Sequence, residues 1–128
     1  IKLGLGGCDI GTSYFLPRLV GVSVASELIL TGRFINADRA LAVGLVSEVV
    51  EVADLDTAAN PYIDAMMTAS PVGLRLSKEC INMSVDAGSI EAVIAMEDRN
   101  QVLCSRSEDF QEGIRAFLEK RKPVYIRR

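Results

Sequence analysis

Apolar residues along this 128-residue chain recur mostly at helical spacing, with two short exceptions. Ile1 to Leu3 reads as the end of a strand, and the valine-rich stretch from Leu45 to Val52 reads as a second short strand. Between them, Phe15, Leu16, Leu19 and Val20 repeat at helical period from Thr12, and Gly21 ends the run. Ser23 is placed to cap a next helix with Val24, Leu28 and Ile29 on one face, which Gly32 stops. Asn36 caps a short helix through Ala37, Ala40, Leu41 and Val43, closed by Gly44.

After residue 52 the pattern is helical throughout. One helix is expected from about Leu55 to Ala69, with Asn60-Pro61 kinking or restarting it. Ser70-Pro71 is a cap followed by proline at the first helical position and opens a helix to about Asp86. Gly88-Ser89 breaks and recaps the chain for a helix from Ile90 to about Ser105. Asp109 and Glu112 have the spacing of an acidic capping box and start a last helix that ends before Pro123. The expected architecture is α/β: residues 1–52 with about two short strands, then a mostly helical region over residues 53–128. Two short strands are marginal as an isolated pair, and Ile1 opens inside an apolar segment, so a sheet-bearing upstream portion is expected.

Hydrophobic residues make up 49% of the chain and charged residues 24%, an ordinary globular balance. The net charge of −3 argues against a nucleic-acid partner. No stretch of about 18 uncharged apolar residues occurs, so no membrane span is expected, and no secretory signal is visible. Cys8, Cys80 and Cys104 are odd in number and form no CxxC, which disfavours a disulfide framework or zinc site and fits a reducing, cytoplasmic setting. Histidine is absent, so acid–base chemistry must use carboxylates, Lys, Tyr, Cys or water.

Few residues then stand out. Asp9 lies in Gly6-Gly7-Cys8-Asp9-Ile10-Gly11-Thr12, just before a helix. It is either a proton carrier, its pKa raised by an apolar wall, or a carboxylate capping that helix. Cys8 lacks an activating base and reads as a small filler. Gly4, Gly6 and Gly7 are followed by no Gly-Lys-Ser/Thr, so a phosphate loop is not indicated. Arg18 and Glu27 read as structural ion-pair or capping residues, and Met66, Met67, Met83 and Met96 as core or subunit interface. The tail carries Lys120, Arg121, Lys122, Arg127 and Arg128 with no acid among them. It is either a local anion site or a solvated helix end complementing the dipole.

Two stretches carry a resemblance. The first is Gly11-Thr12-Ser13-Tyr14-Phe15-Leu16-Pro17-Arg18-Leu19-Val20-Gly21, followed by Thr31-Gly32-Arg33, Ala37 with Ala40, and Gly44-Leu45-Val46. The second is Glu112-Gly113 with Ala116-Phe117-Leu118-Glu119-Lys120-Arg121-Lys122-Pro123, and Ser70-Pro71 and Lys78 fit between them. In this order the chain resembles the C-terminal portion of the enoyl-CoA hydratase/isomerase (crotonase) family, essentially end to end.

The resemblance implies a crotonase ββα-spiral fold and a C-terminal helical region that assembles homotrimers or hexamers. It implies an acyl-CoA substrate whose thioester carbonyl is polarised by two backbone N–H groups, with carboxylates moving protons or adding water. No metal or redox cofactor is implied, CoA being part of the substrate. The family's usual working glutamate, and the oxyanion donor nearest its first carboxylate, fall before Ile1. Asp9-Ile10-Gly11-Thr12 resembles the Asp-Val-Gly-Thr of dienoyl-CoA isomerases, with one extra residue between Gly4 and Asp9. Phe117 and Lys120 match positions that hold the CoA adenine and phosphates, although a core phenylalanine and a dipole-complementing lysine are the simpler explanation. The expected function is hydration or isomerisation of unsaturated fatty-acyl-CoA. The alternatives are a non-catalytic crotonase-like protein that binds acyl-CoA or serves assembly, and a free-standing helical interaction module.

Overall fold

The structure, a computed structural model, describes residues 1–126. Arg127 and Arg128 of the basic tail lie outside the described residues. The chain divides into two compact units, Ile1–Leu55 and Asp56–Arg128.

In the first unit, α1 spans Thr12–Thr31, and its backbone leaves helical geometry at Gly21, with φ 79° and ψ 157°. Glycine adopts that conformation without steric cost, so the expected stop becomes a break between two helical runs. Gly32 closes α1 in the left-handed region and donates its N–H to the Leu28 carbonyl at 2.9 Å. Helix α2 covers Ala37–Ala42, and Asn36 caps it by accepting the Arg39 N–H at 2.9 Å. Glu27 receives both arms of Arg39, at 2.9 and 2.6 Å, and so ties α1 to the first turn of α2. Those bonds, more than the nearby charges, lower the Glu27 pKa. Val20, Ala25 and Ala40 are the buried apolar residues of this unit.

By length and composition α1 is apolar enough to cross a bilayer. It nevertheless carries Arg18 and Glu27 and breaks its hydrogen-bond ladder at Gly21, features that hydrocarbon penalises.

Neither expected strand forms among the described residues. Residues 1–3 enter a turn closed by the Gly4 N–H on the Ile1 carbonyl at 3.2 Å. Residues 45–52 lead through bends into a single 3₁₀ turn, Val52–Asp54. Glu51 keeps an extended backbone (φ −62°, ψ 150°), but a strand requires a laddered neighbour as well as an extended chain.

In the second unit, α3 covers Leu55–Met67 with Pro61 inside it, and the helix does not restart there. Helix α4 spans Pro71–Ser84, α5 spans Ile90–Ser105 and α6 spans Glu108–Leu118. Ser70 and Ser89 cap α4 and α5 as expected, accepting the Gly73 and Ala92 N–H groups. The start of α6 differs from the expected capping box. Ser107 is its cap and accepts the Phe110 N–H at 3.1 Å. Asp109 instead points at α4, where its Oδ2 accepts the Ser70 hydroxyl at 2.6 Å and the Val72 N–H at 3.2 Å. Helix α5 packs against both α4 and α6. Its Asn100, 5% exposed, donates to the Leu76 carbonyl at 3.3 Å and the Cys80 sulfur at 3.1 Å.

Removing the Asp109 carboxylate strands two sheltered donors. Asp109→Ala is expected to cost about 2–4 kcal/mol, roughly 1–3 for each unmet group with partial relief by water. Asp109→Asn, which keeps an acceptor, should cost less. Urea unfolding followed by far-UV circular dichroism measures both, and equal stabilities for wild type and Asp109→Ala would refute the role.

Candidate functional site

The Asp9 loop is built against α1. An added Cβ on Gly7 would lie 2.7 Å from the Ile29 carbonyl oxygen, so only glycine allows the loop to approach the helix this closely. Beyond Gly7 the chain makes a tight turn. The Asp9 carbonyl accepts the Thr12 N–H at 2.9 Å and the Thr12 hydroxyl at 2.6 Å. The Asp9 carboxylate accepts the N–H of its neighbour Ile10 at 2.8 Å. Gly11, not Asp9, occupies the cap position of α1, and it provides no side-chain bond. Helix capping is therefore not what the carboxylate does.

Asp9 is exposed. Ile10 beside it has φ 51° and is 95% exposed. A β-branched residue in the left-handed region is a genuine outlier, costing on the order of 1–2 kcal/mol. Cys8, expected as a filler, is also exposed.

Phe117 lies in the last turn of α6 and Lys120 just beyond its end. Lys120 lies in the left-handed region with φ 53°. Its N–H donates to the Phe117 carbonyl at 3.2 Å, and the Arg121 N–H donates to the Ala116 carbonyl at 3.0 Å. These two bonds form a Schellman closure, in which glycine is the usual left-handed residue. Phe117 is 79% exposed, so it is not a core side chain of this unit. Among the described residues Lys120 forms no ion pair.

Arg121 is held by carboxylates. It pairs with Glu112 at 2.6 and 3.0 Å and with Glu119 at 2.6 Å. Glu112 also accepts the Val124 N–H at 2.9 Å. The Arg121 hydrogen bonds first, and the Val124 N–H second, hold the Glu112 carboxyl at about 2. Neither Glu112 nor Asp109 was legible as part of a long-range network, because Arg121 and Ser70 are their partners only through the fold.

A cleft of about 560 Å³ opens between α4 and α5, lined by Leu76, Cys80, Ile81, Asn100 and Cys104 among others. Neither Phe117 nor Lys120 lines it, and Asp9 belongs to the first unit. Among the described residues no group of three or more Cys, Asp or Glu is placed to hold a metal ion.

Gly7→Ala should push the Asp9 loop off Ile29 and cost roughly 1–3 kcal/mol, read by thermal unfolding. The folded-state pKa of Glu112 lies below the ordinary 4.5. Its contribution is therefore complete above about pH 4.5 and fades as pH falls toward 2. Glu112→Gln should flatten that acid limb in stability measured against pH, and an unchanged limb would contradict the pairing.

The family model described as enoyl-CoA hydratase/isomerase matches residues 1–128. The short-chain-enoyl-CoA hydratase of Clostridium acetobutylicum is 38% identical over 122 residues, covering 94% of this chain and 46% of that protein. The 1,2-epoxyphenylacetyl-CoA isomerase of Escherichia coli is 35% identical over 124 residues, covering 97% of this chain and 47% of that protein. The crystal structure of enoyl-CoA hydratase from Bacillus anthracis superposes with a TM-score of 0.89 at 35% identity, over 97% of this chain and 47% of that one. The chain spans about half the length of the curated relatives it matches. With a family match along its whole length and the fold of solved crotonases, the chain belongs to the enoyl-CoA hydratase/isomerase family.

Proposed function

We propose that this chain is part of an enzyme that hydrates or isomerises unsaturated fatty-acyl-CoA thioesters. The observation that carries the proposal is the end-to-end family match, together with relatives whose names all describe conversions of a CoA thioester. In such chemistry, preorganised backbone donors stabilise an enolate-like oxyanion while a carboxylate moves a proton. No metal or redox cofactor is called for; CoA enters as part of the substrate. The free thiols of Cys8, Cys80 and Cys104 support a reducing, cytoplasmic location.

Asp9 is the proposed proton carrier. Its support is the strain at Ile10: a left-handed isoleucine beside a candidate carboxylate is the kind of outlier that persists where geometry serves chemistry. Asp9→Asn should leave hydration of a 2-enoyl-CoA intact and reduce double-bond migration in a dienoyl-CoA by roughly 10²- to 10⁴-fold, followed spectrophotometrically. If neither rate changes, Asp9 has no part in the chemistry.

Phe117 and Lys120 are the proposed contacts for the CoA adenine and phosphates. A lysine accepts the left-handed position that glycine would fill more easily, which supports a use for its ammonium group. Lys120→Gly should be equally stable or up to about 1 kcal/mol more stable, since relieved strain is offset by the entropy of glycine. The same variant should bind CoA more weakly.

The proposed assembly is a homotrimer or hexamer. Its support is exposed apolar surface: α3 buries no residue, and Tyr62, Ile63, Met66 and Met67 are all exposed. Sedimentation showing a monomer at micromolar concentration would contradict it.

One observation favours a second reading, a non-catalytic acyl-CoA-binding or assembly subunit. The Asp9 carboxylate is exposed, and the first unit gives it no apolar cover. Retained binding of acyl-CoA without turnover on any unsaturated ester would select that reading.

A further inference from the structure

The end of α6 is held by more bonds than a helix terminus needs. The Schellman closure already satisfies the Phe117 and Ala116 carbonyls. Beyond it, Arg121 reaches back to Glu112 with both guanidinium arms, takes Glu119 with Nε, and donates to the Lys122 carbonyl at 3.1 Å. Glu112 draws in the following segment as well, through the Val124 N–H. The segment then lies along α6, where an added Cβ on Gly113 would meet the Tyr125 hydroxyl at 3.4 Å. The Glu112 side chain is 17% exposed and that of Arg121 37%.

This network brackets the candidate ligand contacts. Phe117 and Lys120 lie between Glu112 and Arg121 in sequence, and Lys120 directly precedes Arg121. A non-glycine residue keeps a left-handed conformation only where its surroundings over-determine it. On one side of Lys120 the body of α6 does so, anchored by Ala116, which is 1% exposed. On the other side the constraint comes from Arg121, and Arg121 is fixed by Glu112.

We propose that Glu112 is a positioning residue: through Arg121 and the Val124 N–H it locks the left-handed turn at Lys120, so that the Lys120 ammonium and the Phe117 ring are presented together to the nucleotide end of CoA. The inference rests on the reading of Phe117 and Lys120 as CoA contacts, and it adds the device that holds them. Glu112 itself touches no ligand. Its acidity would repel a phosphate if Arg121 did not neutralise it. The guanidinium fork also sets a direction that a lysine could not impose.

The test compares two probes on the whole protein, CoA and 4′-phosphopantetheine, which lacks the nucleotide. Dissociation constants are measured by calorimetry for wild type, Glu112→Gln, Arg121→Lys, Phe117→Ala and Lys120→Ala. Glu112→Gln is expected to weaken CoA binding at least tenfold and 4′-phosphopantetheine binding less than twofold, with Arg121→Lys in between. A merely structural Glu112 would weaken both probes together, and that result overturns the proposal. If Phe117→Ala and Lys120→Ala lose the preference for CoA while Glu112→Gln keeps it, the contacts stand and the positioning role falls. If neither of those two variants changes the preference, the contact reading itself falls. Should Glu112→Gln fail to fold, Arg121→Lys, which retains the charge but not the fork, decides the matter by the same comparison.

Discussion

One carboxylate sets the frame of the second unit. Asp109 sits in the first turn of α6 yet bonds to the first turn of α4, so it fixes two helix N-termini against each other. Burying a charge is costly unless it is paired or well hydrogen-bonded. Here the Ser70 hydroxyl and the Val72 N–H meet it, and both helix dipoles present their positive ends to it. Ser70 is thereby used twice, accepting the Gly73 N–H and donating to Asp109. With the two N-termini set, α5 packs against both helices, and Asn100 ties it to α4 at Leu76 and Cys80.

Backbone strain is concentrated where chemistry is expected. Among the described residues only Ile10 and Lys120 have positive φ without being glycine. Ile10 adjoins Asp9, and Lys120 is itself a candidate contact. Other left-handed turns, at Gly4, Gly11, Gly32 and Gly44, use the residue that bears them easily. Local packing does not account for Ile10, whose side chain is almost fully exposed.

What was legible in the sequence was local. Ser70, Ser89 and Asn36 were readable as caps because each needs only the N–H three residues ahead. Gly21 was readable as an interruption because its conformational freedom is intrinsic. Pro61 is expected to disturb α3, but the helix runs through it although it buries no residue, so helix propensity on either side outweighs one missing bond. The strands failed for the opposite reason. Apolar and valine content describe what a strand would bury, whereas its existence depends on a neighbouring ladder. The Asp109–Glu112 spacing misled because it matches a capping box, while each carboxylate has a better partner elsewhere: Ser70 across 39 residues and Arg121 across nine. No window of local sequence contains those pairings.

The basic tail shows how such pairings redistribute charge. A cluster of cations after a helix invites one explanation for all of them, the negative end of the dipole. The structure separates them instead. Arg121, with a planar fork, is committed to Glu112 and Glu119 and serves the backbone. Lys120, a compact point charge on a flexible stem, forms no ion pair among the described residues and sits on a strained turn three residues after the exposed Phe117. A dipole acts on every nearby cation alike and gives no reason for one to be pinned and its neighbour left open. Two carboxylates do give such a reason: Glu112 and Glu119 satisfy Arg121, and Lys120 stays outside their ion pairs.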